Sequence, residues 1–238
     1  MRIKTAAEWN LERDEMLDSL RQFARIWKRR PFDNKQGLLG VSAFALYWFV
    51  SRLRPSVVFE VGIWRGFSTW LIEQAAPAAE IHCFDPVIIL APYLRKWKMG
   101  QTYRSERAQY STQDFSCAPI SDIAAGRDDA LAFFDDHQNK FPRLLQCKAA
   151  GIRHIVFDDN LKEPYTHNTL EHERAATSER LDDEIEQYEI FPALWPVDLR
   201  LGDLHVREEG IGFPVEKDLR DIYAGRNYYS YLTYVRLK

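Results

Sequence analysis

Residues 57–85 read VVFEVGIWRGFSTWLIEQAAPAAEIHCFD, and this stretch decides the fold. Val57, Val58, Phe59 and Val61 form a short apolar, β-branched and aromatic run, the pattern of a strand buried on both faces. Gly62 and Gly66 bracket a turn. Ser68 and Thr69 then stand at the mouth of a helix, where exposed backbone N–H groups favour anions and polar ligands. Ile81, Cys83 and Phe84 make the next strand, and Asp85 closes it. An acid roughly 20 residues past a glycine turn is where nucleotide-binding α/β folds hold a ribose. The unit is therefore expected to grip a nucleoside-type cofactor, with the rest of the chain supplying the chemistry.

Working outward, Trp9, Leu11, Met16, Leu20, Phe23 and Trp27 recur on one broad face and predict a helix over 6–29 that Pro31 ends. A more apolar helix is predicted over 38–54 and stopped by Pro55. Downstream, 87–98 reads as a packed helix or a cofactor cover, and 107–111 as a weak third strand. Strands follow at 130–134 (ALAFF) and 154–157, separated by a helix over 138–150 that Gly151 terminates. Residues 169–188 read as a charged helix, 191–196 as a proline-bounded connector, 197–215 as an excursion or short hairpin, and 228–237 as a terminal strand. The alternation predicts one doubly wound, Rossmann-like α/β domain over 37–238 with an N-terminal helical extension over 1–36.

With 238 residues, 46% of them hydrophobic and 28% charged, the chain is long enough for one sizeable globular core. A formal net charge of -3 offers no global attraction to nucleic acid or to a membrane surface, and neither is expected as a partner. Cys83, Cys117 and Cys147 fit no zinc or redox spacing and favour a reducing compartment. The polar start MRIKTAAEWN is not a signal peptide, so a cytoplasmic location is expected. Trp9, Phe23 and Trp27 are expected to cover the domain's own core, with a homo-oligomer face as the alternative.

The glycine spacing narrows the cofactor. A dinucleotide fingerprint needs G-x-G-x-x-G, whereas this chain has Glu60, Gly62 and Gly66 with no middle glycine, and no Gly-Lys-Ser/Thr of a P-loop follows. Glu60 inside the turn would repel phosphate and could accept from a cationic amino group. The pattern E-x-G-x-x-x-G-x-S-T after a hydrophobic strand resembles motif I of the class I S-adenosylmethionine-dependent methyltransferases, particularly the catechol-type O-methyltransferases. The resemblance implies a mostly parallel sheet with an antiparallel last strand. It also implies that Glu60, Gly62, Gly66, Ser68 and Thr69 lie at the cofactor's methionine end and that Asp85 holds the ribose hydroxyls. Asp114, just beyond the third strand, is counted with these cofactor-binding candidates.

A second constellation follows the fourth and fifth strands: Asp135-Asp136-His137 and Asp158-Asp159-Asn160. Parallel strands present their C-terminal ends to one crevice, and clustered carboxylates with an amide oxygen suit Mg²⁺ or Mn²⁺. Helix capping is the plainer reading of the same acids. The catechol-type enzymes carry D-H and D-N at these two strand tips, so the resemblance implies Asp136, Asp159 and Asn160 as ligands of a divalent cation. The family's lysine position, three residues after the first aspartate, is Asn139 here, with Lys140 one residue on. One residue turns a helix by ~100°, so His137 stands beside Lys140 as a candidate base. The expected function is divalent-metal-assisted, S-adenosylmethionine-dependent O-methylation of a small hydroxylated acceptor, a sugar or natural product. A metal-dependent hydroxylase or hydrolase on the same fold and a non-catalytic cofactor-binding module are the alternatives.

Overall fold

The computed structural model describes residues 2–34, 37–86, 101–160, 170, 183–201, 204–226 and 231–238. In chain order the elements are β1 (Arg2–Ile3), α1 (Ala6–Leu11), α2 (Arg13–Trp27), α3 (Gly40–Leu53), β2 (Val57–Val61), α4 (Phe67–Ala75), β3 (Glu80–Phe84) and β4 (Gln109–Ser111). There follow a 3-10 turn (Phe115–Cys117), α5 (Ile120–Ala124), β5 (Leu131–Phe134), α6 (Lys140–Ala149) and β6 (His154–Asn160). Last come β7 (Ile185–Ile190), β8 (Val197–Leu201), β9 (Leu204–Glu208), a 3-10 turn (Lys217–Leu219), α7 (Arg220–Ala224) and β10 (Tyr231–Leu237).

Eight strands form one sheet in the order β1-β7-β10-β6-β5-β2-β3-β4. β4, β3, β2, β5 and β6 are parallel. β10 runs antiparallel to both β6 and β7. This is the doubly wound, Rossmann-like sheet, mostly parallel with an antiparallel last strand, that the sequence predicts.

Helices cover both faces because the central strands alternate between two apolar cores. Val58, Leu131, Phe133 and Val156 face the core shared with α2, α3 and α4. Val57, Phe59, Phe134 and Phe157 face the core shared with α5 and α6. α3 is buried from Gly40 to Val50, as its unbroken apolar sequence requires. Its C-cap Arg54 turns left-handed (φ 51°) before Pro55, and β2 starts two residues later.

The N-terminal segment is built into this core. Phe23 packs against Trp27, Phe44 and Tyr47, each ring centroid 5.5 Å away, and Trp9 meets Phe191 edge-on. Burying each such ring contributes roughly 1.5–3 kcal/mol. The single helix expected over 6–29 is two, α1 with a Thr5–Glu8 capping box and α2 starting after Glu12.

Two strands depart from the sequence expectation. β1 adds to the sheet beside β7, in parallel. β7 occupies Ile185–Ile190, where the charged helix was expected to continue. Ile185 and Tyr188 are spaced like a helical face, but pairing with β10 from Thr233 to Leu237 overrides that local signal. The expected hairpin over 197–215 is β8–β9. Residues 87–98 and most of 169–184 lie outside the described residues. Among the described residues no helix is long and apolar enough to cross a membrane.

Candidate functional site

A cleft of about 740 Å³ opens at the C-terminal ends of β2, β3 and β5, where the chain order reverses between β2 and β5. Doubly wound sheets bind ligands at such a switch point, because the loops there splay to opposite faces. Gly62, Ile63, Trp64, Arg65 and Gly66 line it together with Asp85 and Pro86 and with Asp135 to Gln138, which begin against Gly62.

Both glycines of the turn have left-handed backbones, φ 88° at Gly62 and 80° at Gly66. The space a side chain would need is filled by other backbone. A Cβ on Gly62 would lie 2.3 Å from the carbonyl oxygen of Asp135, and one on Gly66 2.1 Å from that of Tyr103. The turn is thus wedged between the tip of β5 and the segment 101–105, which is bound to it by Tyr103 N–H to Arg65 O (2.8 Å) and Arg65 Nε to Gln101 O (2.7 Å). Trp64 and His137 are non-glycine residues at positive φ (51° and 55°), and both line the cleft. Backbone strain of this kind is held only where surrounding structure enforces it.

Asp85 reaches across to the turn. Its Oδ2 accepts from the N–H groups of Ile63 (2.9 Å) and Trp64 (3.2 Å), and the residue is 8% exposed. Glu60, Ser68 and Thr69 stand elsewhere: among the described residues they are buried and do not line the cleft. Glu60 lies beneath α4 and accepts from Thr69 Oγ1 (2.6 Å) and Cys83 Sγ (3.2 Å) at Oε2. Among the described residues its Oε1 has no partner within hydrogen-bond geometry, and the nearby Ser68 hydroxyl acts on the same carboxyl electrostatically. Burial pushes the Glu60 carboxyl up to about 7, against the hydroxyl and thiol hydrogen bonds around it, which pull it down.

Beside Asp136 the structure supplies a residue the sequence reading missed. Arg143 projects from α6 with its side chain 7% exposed. Nη1 and Nη2 donate to the two oxygens of Asp114 at 3.0 and 2.8 Å, Nε donates to Asp136 Oδ2 at 2.9 Å, and Nη1 also donates to Gln146 Oε1 at 2.9 Å. The hydrogen bonds with Arg143 hold the Asp114 carboxyl well below the usual carboxylate range. A signal was present: Lys140, Arg143, Leu144 and Cys147 form the buried stripe of α6, so an arginine on the inward face, one helix beyond an acidic strand tip, required a buried anionic partner.

Among the predicted catalytic and metal residues, Asp136 and His137 line the cleft. Lys140 is 4% exposed, with Nζ 5.8 Å over the Phe157 ring, and is not on the cleft wall. Asp159 and Asn160 end β6, but their side chains lie outside the described ones. Among the described residues no three His, Cys, Asp or Glu side chains are grouped to hold a metal. Oδ2 of Asp136 is already engaged by the Arg143 guanidinium, which competes with a cation for that oxygen.

The fold and the cleft define a doubly wound, Rossmann-like α/β protein with a cleft at its switch point. No protein-family model matches the chain, and no curated protein is similar to it in sequence. Among solved structures it is similar to a methyltransferase from Geobacter sulfurreducens at 15% identity, over 94% of this chain and 90% of that one, with a TM-score of 0.45. It is also similar to an S-adenosylhomocysteine-bound methyltransferase from Podospora anserina at 14% identity, over 93% and 88% of the two chains, TM-score 0.47. A S-adenosylmethionine-dependent O-methyltransferase from Thermotoga maritima is similar at 9% identity, over 80% and 63%, TM-score 0.44. At such identities these are likenesses only, and the fold class rests on the order and directions of the strands.

Proposed function

We propose that this chain is an S-adenosylmethionine-dependent methyltransferase acting on a hydroxyl of a small acceptor molecule. The observation that carries the reading is the use of Asp85. A pyrophosphate binds the amides of a glycine turn. Here the amides of Ile63 and Trp64 already donate to a carboxylate that itself lines the cleft. A ligand rich in hydroxyls and free of phosphate suits that wall; a dinucleotide does not.

When bound, S-adenosylmethionine supplies a methyl group activated on a sulfonium. The residues of the chain hold and orient around it. Asp85 is placed to accept from ribose hydroxyls, while Trp64, Phe84 and Tyr103 give the cleft apolar surface that limits water. Asp136 and His137 also line the cleft, where an acceptor hydroxyl can pass its proton. The His137 imidazole carries ring nitrogens that can take up that proton. Fixing donor and acceptor in line supplies most of the rate gain. Three free cysteines accord with a reducing, cytoplasmic setting.

Titration calorimetry with S-adenosylhomocysteine tests the reading. The wild-type chain is expected to bind it, and Asp85→Ala to weaken binding by roughly tenfold to hundredfold, the equivalent of about 1.5–3 kcal/mol for hydrogen bonds to a charged group. Absence of any heat with folded wild-type protein removes the cofactor assignment.

A further inference from the structure

The sequence resemblance implies a divalent cation held between the tips of β5 and β6; at the β5 tip the structure places a guanidinium against Asp136. We propose that Arg143 is the resident cation of this cleft, a positioning residue that pairs with both Asp114 and Asp136, offsets part of their charge and makes the wall independent of a divalent metal. The inference deepens the methyltransferase reading, on which it rests for the reaction, but its geometry stands on this chain's own residues.

Three features carry it. First, the guanidinium is bidentate to Asp114 and also bonded to Asp136, so it links the segment beyond β4 to the tip of β5. Nη2 lies 2.7 Å from Asp136 Oδ2 in addition to the Nε contact. Second, it is held in place by more than charge. The Phe115 and Phe134 rings stand 5.9 and 5.7 Å from Cζ, and Gln146 takes a further Nη1 hydrogen bond. A planar fork held this way keeps two carboxylates at fixed orientation, a task for which arginine is suited and a hydrated ammonium is not. Third, Arg143 and Asp136 both line the cleft. The orientation of Asp136 toward an acceptor is therefore set by Arg143. Clustered acids need an offsetting cation or hydrogen bonds, and here α6 provides one covalently.

The test uses Mn²⁺, read by the electron paramagnetic resonance signal of the free ion, on wild type, Arg143→Gln, Arg143→Ala and Asp136→Asn, with circular dichroism to confirm folding. Wild type is expected to leave the Mn²⁺ signal unchanged into the millimolar range. Arg143→Gln or Arg143→Ala, with Asp114 and Asp136 unmasked, is expected to gain Mn²⁺ affinity by at least about tenfold, and the gain is expected to vanish when Asp136→Asn is added. Mn²⁺ binding by wild type that Asp136→Asn or Asp159→Asn abolishes overturns the proposal, as does a folded Arg143 variant that binds no more Mn²⁺ than wild type. S-adenosylhomocysteine titrations on the same samples keep the two questions apart. Loss of cofactor binding with an unchanged Mn²⁺ pattern counts against the methyltransferase reading alone. EDTA treatment of wild type is expected to leave the cofactor titration unaltered.

Discussion

Gly62→Ala is expected to destabilise the protein by on the order of 3 kcal/mol or more, whereas Gly126→Ala is expected to cost only about 1–2 kcal/mol. Both glycines have positive φ, 88° and 71°, so both alanines carry the left-handed penalty. They differ in what surrounds them. The Cβ on Gly62 would meet the Asp135 carbonyl oxygen at 2.3 Å and its carbon at 2.6 Å, while nothing lies within 4 Å of a Cβ on Gly126. Asp135 cannot retreat easily, because its N–H donates to Val61 O at 2.8 Å and β2 and β5 are paired up to Val61 and Phe134. The clash is between two backbones, with no side-chain rotamer to relieve it. Urea denaturation of the two variants measures the difference, and equal midpoint shifts would show that the close approach of the two strand tips is wrong. Because the turn also carries the Ile63 and Trp64 amides that hold Asp85, Gly62→Ala is expected to lower S-adenosylhomocysteine affinity along with stability.

The second large effect is a pH dependence. The Glu60 carboxyl, fully buried, is pushed up to about 7 by loss of hydration, while an unfolded chain releases that proton near 4.5. Between those values the folded protein holds more protons than the unfolded one, so Glu60 makes stability fall as pH rises from about 4.5 to about 7. Over 2.5 units the loss is on the order of 3 kcal/mol. Glu60→Gln removes the ionisation. Its carbonyl oxygen can still accept from Thr69 Oγ1 and Cys83 Sγ, which bond only Oε2 in the wild type. The variant is expected to match wild type within about 1 kcal/mol at pH 5 and to exceed it by on the order of 3 kcal/mol at pH 8. Denaturation series at pH 5, 6, 7 and 8 check this; a difference that stays constant across them would mean that Glu60 does not titrate in this range.

Those two residues show how far a linear reading reaches. Gly62 and Glu60 stand out in the sequence because their types are unusual within an apolar run, and the resemblance places both beside a cofactor. The structure gives each a different neighbour. Glycine is required at position 62 by the strand tip of β5, some seventy residues later in the chain. Glu60 turns under α4 because side chains alternate along β2: Val58 enters the helix-covered core, and Glu60 follows on the same face. Asp114 was counted with the cofactor residues; its bidentate arginine, 29 residues away, was not foreseen.

The sequence by itself determined the local units: strand, glycine turn, helix and strand over 57–85, the apolar α3, the strands at β5 and β6, the terminal β10, and with them the doubly wound class. These are set by short-range periodicity, by chain stops such as Pro55 and Gly151, and by the fact that an unbroken apolar run must be buried on both faces. Only the tertiary structure decided that Ile185–Ile190 is a strand, that Arg2–Ile3 joins the sheet, and that Arg143 is the cation between Asp114 and Asp136. The physical reason is the same in all three. An edge segment and a buried charge have no stable state of their own; each takes its conformation from a partner distant in the chain, whose position exists only once the sheet has formed.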